Sequence, residues 1–179
     1  MKKAVFLAML GAAAFCAPAH AQVTFDMSKA TCADFNALDA DAAKDFPAWM
    51  SGWFNQKAND SSLNVEGYRK NVANVQSWCA SNPKAGIMAG LEAAVAKAKA
   101  GTPGPTDIDA AQITCGQFLK GDLDKQGLVA SWMGGWFMSS KNLTNVDIRY
   151  VNRNSKAIGT YCKKHQKDKL MAAIQKNWK

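Results

Sequence analysis

Two cysteine pairs with the same internal spacing constrain this chain more than any other feature. The Cys32/Cys79 pair and the Cys115/Cys162 pair each span 47 positions. A shift of 83 positions carries the first pair onto the second, and it also carries the segment Trp-Met-Ser-Gly-Trp-Phe at 49–54 onto Trp-Met-Gly-Gly-Trp-Phe at 132–137. A match at a fixed period identifies the unit that folds. The sequence therefore predicts a tandem repeat whose unit is roughly 70 to 80 residues long.

Residues 1–21 have the pattern of a secretory signal peptide. Lys2 and Lys3 precede an apolar run over residues 4–15, and residues 19–21 supply the small side chains that signal peptidase requires. We predict cleavage after residue 21 and export to a bacterial periplasm. Because no later apolar run has the roughly 20 residues of a membrane span, we expect no stable membrane insertion.

Export leaves four cysteines in an oxidising compartment, where disulfides are the default state. Four cysteines allow three pairings. Pairing within each repeat, Cys32 with Cys79 and Cys115 with Cys162, is the only one that closes each repeat independently. Closing a loop of this length stabilises a small domain by roughly 4 kcal/mol on the chain-entropy account. We therefore predict these two disulfides.

Apolar residues spaced by three and four positions predict the clearest helices. Each repeat has one such stripe, which ends at its second cysteine: Val65, Tyr68, Val72, Val75 and Cys79 in the first repeat, and Ile148, Val151, Ser155, Ile158 and Cys162 in the second. A short helix should follow each first cysteine, over 32–38 and 115–120, and a second helix should carry the aromatic segment, over 44–57 and 126–140. We expect a fourth helix to open at Asn82-Pro83, with proline in its first turn, and to run to Lys99.

These elements give an all-α fold of two tandem small four-helix units, each closed by one disulfide. The predicted boundaries are 22–100 for the first repeat and 107–179 for the second. The Gly- and Pro-rich residues 101–106 form the predicted linker. Two related units joined this closely should pack as an intramolecular pseudo-dimer, because a short linker gives a millimolar effective concentration.

Residues that could support catalysis or metal binding are few. His165 is the only histidine after the signal peptide, and no phosphate-binding loop, His-Glu metal motif or nucleophile elbow occurs. The carboxylate pairs Asp39/Asp41 and Asp122/Asp124 lie in predicted loops, where aspartate is common as a turn former or helix cap. We predict a protein that is not an enzyme and that uses no cofactor and no metal.

The charge of the exported chain is unevenly divided. Residues 22–100 have eight acids and eight bases, whereas residues 101–179 have six acids and twelve bases. A solvated basic face explains the excess most simply. The more specific alternative is an anionic partner, which would bind through Lys163, Lys164, Lys167 and Lys169. We expect no nucleic-acid partner, since exported proteins rarely meet one.

The aromatic segments are the strongest candidates for a binding surface. In each segment two tryptophans four positions apart share one helical face, and a glycine between them permits close helix approach. A repeat of this size cannot easily bury all of these side chains alone. We therefore predict a hydrophobic surface for clients or for the contact between repeats, formed by Trp49, Met50, Trp53, Phe54, Trp132, Met133, Trp136 and Phe137.

Several motifs recur in the two repeats. The first repeat has Thr-Cys-Ala-Asp-Phe at 31–35, the aromatic second helix and the helix ending in Cys79, and the second has Thr-Cys-Gly-Gln-Phe at 114–118 and Tyr-Cys-Lys-Lys-His at 161–165. In these motifs the chain resembles the HdeA/HdeB family of periplasmic acid-stress chaperones. The resemblance implies small helical units with one disulfide each, no catalytic residues, and a chaperone function switched on by acid, with unfolded periplasmic proteins as partners. The family's usual form is a single unit that homodimerises, and the tandem copy departs from it.

A physical route to acid activation follows from the charges. The fourteen carboxylates titrate near pH 4, so acid raises the net charge of the exported chain from about +6 to about +20. Repulsion and lost ion pairs should open the packing, while the disulfides hold each repeat together. The main alternative is a periplasmic immunity or inhibitor protein that binds one effector at neutral pH. A third alternative is an envelope-associated protein that uses the basic second repeat.

Overall fold

A computed structural model describes residues 24–98 and 107–178 of the chain. The predicted signal peptide and the predicted linker lie outside these residues. Within them, the chain forms eight helices and four short strands. The helices are α1 Cys32–Asn36, α2 Ala40–Lys57, α3 Val65–Ser81, α4 Ile87–Ala98, α5 Cys115–Lys120, α6 Leu123–Ser140, α7 Ile148–Lys164 and α8 Leu170–Asn177. The strands are β1 Thr24–Asp26, β2 Ser62–Asn64, β3 Asp107–Asp109 and β4 Asn145–Asp147.

The all-α prediction of two four-helix repeats is confirmed. Helices α1 to α4 form the first repeat and α5 to α8 the second, in the same order. Both predicted disulfides are present, Cys32–Cys79 and Cys115–Cys162. Each one joins the first residue of a short helix to the last turns of the long third helix, and all four cysteines are fully buried.

Polar caps set the starts of the first two helices in each repeat. Thr31 and Thr114 open α1 and α5 with capping boxes, in which the residue three positions later bonds back to the cap. Asp39 caps α2 by accepting a hydrogen bond from the Ala42 amide at 2.8 Å, and Asp122 caps α6 in the same way. Because of these caps, α2 and α6 begin three or four residues earlier than the aromatic pattern alone predicted.

The prediction that α4 opens at Asn82-Pro83 is wrong, since the helix begins at Ile87. Asn82 instead ends α3. Its backbone amide donates a hydrogen bond to the Cys79 carbonyl, and its side-chain amide donates one to the Trp78 carbonyl at 2.8 Å. The carbonyl oxygens of Pro83 and Ala85 accept bonds from the first amides of α1. These bonds tie residues 83–85 to α1, so the segment cannot continue into a helix. The second repeat has equivalent bonds from the first amides of α5.

The four short strands, which the sequence analysis did not predict, exchange between the repeats. Strand β1 pairs with β4 and β2 pairs with β3, both antiparallel. The 83-residue shift places β1 on β3 and β2 on β4, so the two ladders are equivalent and each joins one strand from each repeat. This reciprocity is the mark of a two-fold, isologous interface.

Each hydrophobic core borrows a residue from the other repeat through these strands. Leu63 on β2 is 1 % exposed and belongs to the core of the second repeat. Val146 on β4 is 2 % exposed and belongs to the core of the first. The two repeats therefore fold around cores that neither completes alone.

Candidate functional site

The contact between α2 and α6 lies at the centre of the molecule and contains both aromatic segments. The backbones of the two helices touch. A Cβ atom added to Gly52 would overlap the Trp132 carbonyl, and one added to Gly135 would overlap the Trp49 carbonyl. These two contacts are equivalent under the 83-residue shift. Glycine is required at both positions because no side chain fits between the helices.

The interface buries the aromatic segments unequally. Trp49 and Trp132 have no exposed surface, and Met50 and Met133 are buried beside them. Trp53 is 8 % exposed, whereas Trp136 is partly exposed and its ring stacks on Trp132 with centroids 5.6 Å apart. The remaining two of the eight predicted surface residues, Phe54 and Phe137, are partly buried against the first and second cores respectively.

Two buried indoles at this contact lack hydrogen-bond partners. The Nε1 atoms of Trp49 and Trp132 and the hydroxyl of Ser131 are buried and find no partner among the residues that the structure describes. A buried donor without an acceptor costs about 1–3 kcal/mol. The closed interface therefore combines a large apolar contact with a polar penalty.

Three side-chain hydrogen bonds between the repeats lie at or just beyond the ends of α2 and α6. The Trp53 indole donates to the Leu143 carbonyl at 2.9 Å, and the Ser139 hydroxyl donates to the Gln56 side chain at the same distance. Lys57 donates to the Asn142 side chain at 2.7 Å, and its ammonium lies 5.1 Å from the Trp53 ring centroid. The carbonyl and amide acceptors of these bonds do not titrate, so acid leaves them intact.

Two carboxylates tie the exchanged strands together. Asp26 accepts a hydrogen bond from the Ser28 hydroxyl at 2.6 Å and forms an ion pair with Lys29 at 3.2 Å. These contacts lower the pKa of Asp26 from 3.8 to about 2. The Ser28 hydroxyl contributes most, followed by Lys29 and then by Thr144 of the second repeat. The repeat-equivalent Asp109 accepts a bond from the Ser61 hydroxyl of the first repeat at 2.9 Å. Each repeat thus holds the other through one aspartate.

The strands and their cross-repeat contacts could not be recognised in the sequence. The segments Ser-Leu-Asn at 62–64 and Asn-Val-Asp at 145–147 alternate polar, apolar, polar, but three residues are too few for a period to be recognised. Each segment also immediately precedes a helix that its last residue introduces, and Asn64 accepts a bond from the Gly67 amide as a helix cap. The sequence of each segment therefore indicates the start of a helix rather than a strand.

The carboxylate pairs considered for catalysis have structural roles at their first members. Asp39 and Asp122 are helix caps, and the amide of Lys125, followed by its side chain, lowers the pKa of Asp122. Among the described residues, no three His, Cys, Asp or Glu side chains are grouped closely enough to hold a metal ion. None of the described helices combines the length and the apolar character that crossing a membrane demands.

The basic excess of the second repeat is concentrated where α7 meets α8. Lys163, Lys164, Lys167 and Lys169 are exposed there. The neighbouring Tyr161 hydroxyl donates to Asp168 at 2.6 Å, and this bond raises the Tyr161 pKa. The His165 ring stacks on Tyr161 with centroids 4.2 Å apart. The first repeat has Ala80 and Ser81 at the positions of the first two lysines, so this corner is a difference between the repeats.

Comparison with known proteins identifies the family. The sequence model of the HdeA/HdeB family matches the chain twice, at residues 1–89 and 85–172. No curated protein and no solved structure matches the chain. The two family matches cover nearly the whole chain and separate it into the halves that the disulfides close. The chain therefore belongs to the HdeA/HdeB family and consists of two tandem copies of its unit.

Proposed function

We propose that this protein is a periplasmic acid-stress chaperone that opens at low pH and binds unfolding proteins, preventing their aggregation. The observation that carries the proposal is the contact between α2 and α6, which buries Trp49, Trp132 and their methionine neighbours between two disulfide-closed repeats. Opening this contact would present a broad aromatic surface while each repeat kept its own disulfide. Membership in a family of acid-stress chaperones supports the same assignment.

The charges supply the trigger. With one histidine in the exported chain, the carboxylates are the main groups that gain protons between neutral pH and pH 2. Protonation removes the acceptor charge of Asp26, which bonds to Thr144 of the other repeat. It also leaves about twenty uncompensated cations, whose repulsion favours the open state and keeps a client complex soluble.

The interface has the properties of a contact that can open. Its buried indole N–H groups without acceptors make closure of the interface less favourable. Because the repeats are covalently joined, opening is a unimolecular step, whereas separation of a homodimer depends on protein concentration. Acid opening of this chain should therefore have the same midpoint at low and high protein concentrations.

The test is an aggregation assay with an acid-labile client enzyme at pH 2 to 3 and at pH 7. We expect suppression only in acid, with onset between about pH 4 and pH 2, where carboxylates protonate. Exposure of the tryptophans, followed by their fluorescence, should have the same onset.

Variants at the interface separate binding from folding. Trp136→Ala should weaken suppression in acid and leave the fold at neutral pH intact, because Trp136 is already partly exposed. Trp53→Ala removes a more buried ring and should affect both. Trp78→Ala is the matched control, a partly buried tryptophan that packs on the first core away from the α2–α6 contact. Full suppression at pH 7, or none in acid, would contradict the proposal, and a single tight partner at neutral pH would favour an immunity protein.

A further inference from the structure

A groove in the first repeat lies between α2, α3 and α4, beside the contact between the repeats. Its cavity volume is about 40 Å³. Met50, Ser51 and Phe54 of α2 line it on one side, and Val72 and Val75 of α3 and Leu91 of α4 line the others. A concave, largely apolar site with a few polar groups is the usual form of a binding pocket.

Polar groups also face the groove. Tyr68 and Asn71 of α3 lie in its lining. Neither side chain has a hydrogen-bond partner among the described residues, since no bond to either is found there. A hydroxyl and an amide at the wall of an apolar groove can accept or donate one hydrogen bond to a bound group.

The second repeat indicates what kind of group the groove accepts. There, the ring of Trp178 lies against Gly134, where an added Cβ atom would overlap two ring atoms and crowd a third. Trp178 packs on the cores of both repeats, and α8 packs against α6. The second repeat therefore seats an indole from the end of its fourth helix against its second helix.

The first repeat lacks this internal ring. The 83-residue shift places Ser51 at the position of Gly134 and Val95 at the position of Trp178. Ser51 is partly exposed and lines the groove. The first repeat therefore has valine at the position of the tryptophan whose ring covers Gly134 in the second repeat.

We propose that this groove binds one aromatic side chain of an unfolding client polypeptide, as the second repeat holds Trp178. The identity of the client rests on the proposed function, whereas binding of an aromatic group does not. A single side chain buries little surface, so an isolated aromatic ligand should bind with a Kd of about 1 mM. Several such contacts along one client chain would add through their effective concentration.

The first experiment is a titration of the full exported chain with N-acetyl-tryptophanamide at pH 7, followed by ¹⁵N–¹H NMR spectra. We expect saturable shifts confined to amides of α2, α3 and α4. Val72→Phe, which fills the groove from α3, should abolish them. The double variant Ser51→Gly and Val95→Trp, which reproduces the arrangement of the second repeat, should abolish them too and gives a second test if Val72→Phe fails to fold.

The control is Leu123→Ala, which removes the most exposed large apolar side chain of the described residues, at 84 % exposure. It should leave binding unchanged. Shifts that vanish in Leu123→Ala, that lie in α6 to α8, or that survive in both filled variants would overturn the proposal. So would the absence of saturable shifts in the wild type.

The client assay separates this proposal from the proposed function. Suppose that the wild-type groove binds the amide and that a filled variant still suppresses aggregation in acid as well as the wild type does. That result would overturn the client role of the groove and leave the chaperone assignment standing. A wild type that binds the amide at pH 7 but protects no client in acid overturns the chaperone assignment and leaves the groove as an aromatic site. Reduced suppression by the filled variant, with Leu123→Ala unaffected, supports both.

Discussion

The inner and outer faces of the two repeats have different degrees of symmetry. On the inner face, Gly52 and Gly135 make the same backbone contact, and the strands exchange reciprocally. The outer face is the side of α2 and α6 that holds Ser51 and Gly134. There, Trp178 covers Gly134 in the second repeat and also contacts the first core, whereas the first repeat has a groove beside Ser51.

Two-fold packing explains the difference. At an isologous contact each residue meets the other copy of the same surface, so a change in one repeat must be tolerated by its counterpart. On the outer face, Gly134 is covered by Trp178 of its own repeat, so the two repeats can differ there. The repeats therefore share the fold and the contact between them, and differ in the outer surfaces available to partners.

The disulfides should have the largest effect and should act equally in the two repeats. Both close loops of 47 residues, so replacing either pair by alanine should cost about 4 kcal/mol of unfolding free energy. Urea unfolding of the Cys32→Ala/Cys79→Ala and Cys115→Ala/Cys162→Ala variants measures this. Losses that differ by more than about 2 kcal/mol would show that the equivalence of the repeats does not extend to their stability.

The interface glycines should come next. Gly52→Ala and Gly135→Ala each force a methyl group against a carbonyl oxygen of the opposite helix, so each should cost about 3 kcal/mol and loosen the contact between the repeats. Gly127→Ala is the control on α6, because a Cβ there meets nothing within 4 Å. It should be neutral or stabilise by up to about 1 kcal/mol. Equal behaviour of all three variants would contradict the backbone contact.

Much of the fold could be predicted because its signals are local or repeated. The cysteine spacing gave the pairing, and apolar stripes gave α3 and α7. The start of α4 was misplaced because Asn82-Pro83 has the pattern of a helix start, while its actual bonds run to the preceding turn and to α1, which local sequence does not record.

The size of the aromatic side chains was enough to assign them to a surface shared between the repeats. It did not show how the two repeats share that surface. The strand exchange depends on pairing between residues far apart, such as Phe25 with Val146. The groove depends on Trp178 being present in one repeat and absent from the other, and its meaning emerges only when the helices around it are placed.

Trp178→Ala should have an intermediate effect and would sharpen the comparison of the outer faces. Removing a partly buried ring that packs on both cores should cost about 2 kcal/mol, less than for a fully buried tryptophan. It should also uncover a groove in the second repeat, so that N-acetyl-tryptophanamide shifts amides of α6, α7 and α8. An unchanged stability together with no new shifts would show that the ring does not fill that site.

The smallest expected effects concern the acid response of the strand exchange. The pKa of Asp26 is lowered from 3.8 to about 2. The ionised carboxylate therefore stabilises the fold above about pH 4, and this contribution is lost as the pH falls through about 2. Asp26→Asn should destabilise the protein at pH 5, and the difference from wild type should disappear near pH 2. A difference that persists unchanged to pH 2 would show that its origin is not the charge.

The donors to Asp26 separate contacts within a repeat from contacts between repeats. Ser28→Ala removes the largest cause of the lowered pKa and should raise it most, whereas Thr144→Val removes the smallest and only cross-repeat cause. Carboxyl ¹³C titration of Asp26 measures both changes. Ser61→Ala, which removes a donor to Asp109, is the matched control and should leave the Asp26 titration unchanged. If Thr144→Val raised the pKa more than Ser28→Ala, the carboxylate would sense chiefly the opposite repeat, and its protonation would be a direct signal for opening rather than one contribution among fourteen carboxylates.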